Sequence, residues 1–74
     1  MKTVADAHAL YCRLKERYYF ADYSNAVFII GRKEYGELTR DSDMRHACGG
    51  EPYKSLLGCD LIIAVEDCFM CCLK

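Results

Sequence analysis

Ala26-Val27-Phe28-Ile29-Ile30, closed by Gly31, is the stretch whose reading decides the fold. The run is continuous, apolar and rich in β-branched side chains, and it is too short for a helix. That combination predicts a strand covered on both faces, the central strand of a sheet. A second such run, Leu61-Ile62-Ile63-Ala64-Val65, predicts a second buried strand. After it, Glu66-Asp67 reads as a tight turn. From Cys68 to Leu73, Phe69, Cys71 and Leu73 alternate with Met70 and Cys72, so a third strand is expected to return along its predecessor as a hairpin.

Outward from the central strand, helical patterns occupy the flanks. Val4, Ala7, Leu10, Tyr11, Leu14 and Tyr18 recur at three-and-four spacing between Thr3 and about Tyr19, one apolar helix face. Asp6, Arg13, Lys15, Glu16 and Arg17 mark its polar face, and Thr3 is placed to cap its start above Asp6. Asp22 to Asn25 supplies turn chemistry before the central strand. Arg32 to Thr39 reads as a short second helix with Tyr35 and Leu38 facing inward, weakened at Gly36 by about 1 kcal/mol. Asp41 to Cys48 is helix-compatible, Gly49-Gly50 and Pro52 form a strong stop, and Glu51 to Gly58 reads as a connection. The expected fold class is α+β: one domain over residues 1–74, a small two-layer α-β-α-β-β arrangement with a three-stranded sheet packed against helices.

The chain has 74 residues, 53% of them hydrophobic, with six Cys and six Tyr. Such a length supports one core, and cores of this size often rely on a disulfide, a metal or a second subunit, so a homodimer is expected. Ten basic and eleven acidic residues leave a net charge of −1. No global field therefore draws nucleic acid or anionic lipid, and a general nucleic-acid binder is disfavoured. No apolar run is long enough for a membrane span, and the beginning of the chain does not read as a signal peptide. A cytoplasmic setting is expected, with reduced cysteines acting as small hydrophobes.

His46-Ala47-Cys48 together with Cys59, Cys68 and Cys71 is the set most suggestive of chemistry, because two thiolate pairs, or a variant with His46, can complete a tetrahedral zinc site. Zinc pairs usually sit on a turn, whereas alternation along a strand points positions 68 and 71 to opposite faces, so core thiols are the simpler reading and no cofactor is expected. Part of this set resembles the signature of zinc-dependent nucleoside deaminases, but Cys48 stands where their proton-shuttling glutamate belongs and Asp67 where their proline does, which excludes that activity. A redox role for Cys68-x-x-Cys71 would need a helix start to stabilise the thiolate.

Gly31-Arg32-Lys33 is the candidate anion site: a strand passing through glycine into a helix start can present amides and two cations to a phosphate-bearing small molecule. The longer glycine cradle of a P-loop is missing. His8 has no partner that local spacing identifies, and Glu34, Glu37, Asp41 and Asp43 read as solvated carboxylates. No catalytic residue is assigned. Tyrosine and arginine are enriched at binding hot spots, so Arg17, Tyr18, Tyr19 and Tyr23 form the candidate contact patch for a protein partner or second copy.

Phe28-Ile29-Ile30-Gly31-Arg32-Lys33-Glu34-Tyr35 and Leu57-Gly58-Cys59-Asp60-Leu61-Ile62-Ile63 together resemble small uncharacterised proteins of phages and mobile elements. The resemblance covers about half the chain. It implies an accessory protein that works by binding, including inhibition of a host defence factor in the host cytoplasm, and it transfers no functional residue.

Overall fold

The computed structural model describes residues 1–44 and 55–74. In chain order these form α1 (Val4–Arg17), β1 (Ala26–Gly31), α2 (Arg32–Leu38), β2 (Ser55–Leu56), β3 (Cys59–Ala64) and β4 (Phe69–Leu73). The α+β class stands as expected. The sheet has four strands in the order β2-β3-β1-β4.

Helix α1 starts where the sequence places it. The Thr3 hydroxyl accepts from the Asp6 amide at 3.3 Å while the Asp6 carboxylate accepts from the Thr3 amide at 2.9 Å, a reciprocal capping box. Asp41 extends this anchoring from a distance: its carboxylate accepts the Val4 N–H at 2.9 Å and the Asp43 N–H at 3.0 Å. These two bonds hold its carboxyl below the ordinary range, the Asp43 contact being the larger cause. Thus the loop after α2 fastens the start of α1.

Strand β1 is central, as read. Ala26, Phe28 and Ile30 project from one side into the core with Ala7, Leu14, Leu38, Met44, Leu56 and Cys59. Both helices serve this core, and β1 is buried along its length except at half-buried Ile29. Tyr35 and Leu38 point inward from α2 as expected, with Leu38 fully buried.

Three expectations are corrected. First, β4 does not pair with β3. It lies antiparallel to β1, from Ile30↔Phe69 to Ala26↔Leu73, while β3 lies parallel to β1 on the other side, with Phe28↔Leu61 and Ile30↔Ile63. Residues 65–68 therefore carry the chain across the end of β1. Second, β3 is not buried on both faces: Ile62 is 52% exposed and Val65, just beyond it, 79%. Third, the stretch read as a connection contains β2, which pairs with β3 through Ser55↔Asp60 and Leu56↔Cys59 and makes the sheet four-stranded instead of three-stranded. Its two-residue turn holds Leu57 at φ 54° and Gly58 at φ 83°, the positive values that a tight hairpin needs to match strand twist.

The crossing explains Gly31. Its N–H donates to the Cys68 carbonyl at 2.8 Å. A Cβ at this position would lie 2.6 Å from the Glu66 carbonyl oxygen and 2.9 Å from the Cys68 nitrogen, both backbone atoms. Only a residue without a side chain lets the loop pass over β1 this closely. No helix among the described residues is long and apolar enough to cross a membrane.

Candidate protein-contact groove between α1 and β4

Helix α1 lies along β4. Lys2, just before the helix, holds its ammonium 5.0 Å from the ring of Phe69 at the start of the strand. Farther along, Leu10, Arg13, Leu14, Arg17 and Tyr18 face residues 69–73 across a groove of about 460 Å³. The floor is apolar because Leu10, Leu14 and Tyr18 recur every fourth residue on the helix stripe that packs on the core. Arg13 and Arg17 are displaced by one residue from that stripe, so they form its outer rim. Both are exposed. Arg17 lies over the Tyr18 ring with its guanidinium carbon 5.6 Å from the centroid, and neither arginine is ion-paired among the described residues.

The opposite wall is the last strand of the sheet. In an antiparallel ladder, residue pairs alternate between those that exchange hydrogen bonds and those that do not. The bonds from Gly31 N–H to the Cys68 carbonyl and from Lys74 N–H to the Asn25 carbonyl, at 2.8 and 2.9 Å, fix the phase. Met70 and Cys72 therefore turn their backbone groups toward β1. Phe69, Cys71 and Leu73, which line the groove, turn theirs outward, away from β1, where no strand meets them among the described residues.

Of the sequence-derived contact residues, Arg17 and Tyr18 line this groove. Tyr19 and Tyr23 do not. Tyr19 is 94% exposed and meets Phe20 edge-on at 5.6 Å, and Tyr23 packs beneath the Gly58 turn, where its Cβ lies 3.2 Å from an added Cβ. Leu10 and Arg13 were missed as site residues. The fourfold spacing of Arg13 and Arg17 carried the signal, but the position of β4 could not be read.

At the candidate anion site, Arg32 and Lys33 are exposed as expected, and the Gly31 amide that a phosphate would need is already bonded to Cys68. Glu34 corrects the reading of it as solvated: it is only 8% exposed, and its Oε2 atom has no hydrogen-bond partner among the described residues. His8 also has a neighbour that was not expected, since the Cys12 sulfur lies 3.7 Å from its Nδ1 one helical turn on.

The candidate zinc ligands His46 and Cys48 lie outside the described residues. Among the described ones no three metal-ligating side chains converge. Cys59 is buried on the helix side, and Cys71 shares that side of the sheet. The Cys68 sulfur lies 3.7 Å from the Ile29 carbonyl oxygen. Burial, reinforced by Cys59 and Cys72, pushes the Cys71 thiol up to about 12, and burial likewise raises that of Cys59. Thiols so shifted are protonated at neutral pH and poor nucleophiles.

Comparison with protein-family models, with curated proteins and with solved structures finds no match to this chain.

Proposed function

We propose that the protein is a non-enzymatic binding module that acts by protein-protein contact through the α1–β4 groove. One observation carries the reading: an apolar trough with two guanidinium groups on one rim and backbone donors and acceptors on the other, neither set paired among the described residues. Binding sites have this make-up, an apolar floor with a few convergent polar groups. The Cys71 thiol that faces the core is held in its neutral form, which favours a packing role over nucleophilic or redox chemistry. A phage-type accessory factor or inhibitor, the role implied by the sequence resemblance, would act through such a surface.

Panning a library of random linear peptides over the purified full-length chain tests the reading. Selected peptides should bind wild type and lose affinity for Leu10→Lys, which places a charge on the groove floor. Selected peptides indifferent to that substitution would place the contact elsewhere.

A second reading, that the chain also pairs with its own copy, is favoured by the sheet face away from the helices. There Ile62, Ile29 and Met70 form one apolar row across three strands, with Ile62 52% and Met70 45% exposed. Sedimentation over a wide concentration range should show a dimer that Ile62→Lys dissociates. A constant monomer mass would end this reading.

A further inference from the structure

The occupant of the groove can be specified from its two walls, on the proposal that the groove is the contact site. We infer that it receives an extended, acidic segment of a partner protein, added as a fifth strand on the open edge of β4. Three features converge on this. The outward N–H and C=O groups of Phe69, Cys71 and Leu73 form a ready ladder for one more strand. Side chains opposite these residues lie on the helix side of the sheet, beneath α1. There they meet Arg13 and Arg17, and among the described residues no acidic one lines the groove.

The spacing agrees with this. Four residues of helix advance about 6 Å, and two residues of strand advance about 6.6–6.8 Å. Carboxylates at alternate positions of an added strand therefore reach successive arginines of α1. The intervening side chains fall on the other face, beside Met70 and Cys72, where apolar residues fit. Asp6, in the smaller depression that continues past Arg13, is bonded back to Thr3 and leaves the guanidinium available. A second copy is a poorer occupant. Two β4 strands paired edge to edge around a twofold axis would set the arginine rims of both copies over one junction, and like charges repel.

The probe is a capped, fluorescently labelled pentapeptide, Glu-Val-Glu-Val-Glu, titrated into the full-length chain and followed by anisotropy. Antiparallel addition, the more stable pairing, requires the amides of the Glu positions to donate to β4. N-methylation at the central Glu should weaken binding at least about ten-fold, and N-methylation at Val should leave it nearly unchanged. The exposed double variant Arg13→Glu/Arg17→Glu, with its circular dichroism unchanged, should also lose at least about ten-fold. The counterpart Lys-Val-Lys-Val-Lys should not bind. Equal effects of the two methylations, binding of the lysine peptide, or indifference to the arginine variant would overturn the inference. Library peptides that lose affinity for Leu10→Lys yet ignore backbone methylation and charge would leave the groove in place and remove only the added strand. Peptides that ignore Leu10→Lys would remove the groove itself.

Discussion

Strands β1 and β3 look alike as sequence, each a short β-branched run, yet their environments differ. Phe28 and Ile30 of β1 are fully buried, whereas their register partners Leu61 and Ile63 are half-buried and 40% exposed. The difference comes from position. β1 has a full-length strand on each side and the helix layer above it. β3 has β1 on one side and, on the other, only the two residues of β2, which leave Leu61 to Ala64 without a strand neighbour among the described residues. Hydrophobic composition nominates a strand for burial, and its place in the sheet decides how much of it is buried.

Substitutions at matched positions can break or sharpen this contrast. The largest effect is expected at Phe28→Ala, which should cost about 3–5 kcal/mol in urea unfolding by leaving a cavity in the core. If Leu61→Ala, its register partner, cost as much, the contrast would be wrong. Gly31→Ala comes next, at about 1–3 kcal/mol, because its Cβ would press on the Glu66 and Cys68 backbone. The matching position of β3 already carries an alanine, Ala64. Ile30→Val should cost about 0.5–1.5 kcal/mol, and Ile63→Val measurably less. Smallest of all, Ile62→Ser on the open face should stay within about 0.5 kcal/mol in the monomer.

Acid-base titration tests the burial of the core side from another direction. Cys71 has its thiol raised from 9.0 to about 12 in the folded chain, chiefly by desolvation. The unfolded chain releases this proton first as pH rises, so the stabilisation is complete below about pH 9 and is lost progressively as pH climbs toward 12. Thermal midpoints of wild type should fall across that window more steeply than those of Cys71→Ala. Parallel curves for the two proteins would show that Cys71 is solvated in the folded state.

What was legible in the sequence was local. The Thr3 cap, the apolar stripe of α1, the central place of β1 and the inward turn of Leu38 all follow from spacing within a few residues. The partner of β4 does not. A turn at Glu66-Asp67 suits a hairpin equally well as a crossing, and the deciding feature is Gly31, 35 residues before Glu66, whose missing side chain opens the path over β1. The same gap hid the site. Arg17 and Tyr18 could be singled out by residue type, but the groove they border exists only because β4 is placed beneath α1. Burial of Glu34 was likewise out of reach, since carboxylates on short helices are ordinarily solvated.

The passage of the chain over Gly31 also bears on the order of assembly. Both full-length neighbours of β1, strands β3 and β4, follow it in the chain by about thirty residues or more, and the pairs that bind β4 to β1 join positions 39 to 47 residues apart. Helix α1 can form early from its own capping box, but among the described residues β1 has no full-length ladder to join until β3 and β4 are present. Non-local pairing of this kind slows folding. It also makes the sheet close late and together, so amide protons of β1 and β4 should be released by one shared opening event and those of α1 by smaller, independent ones.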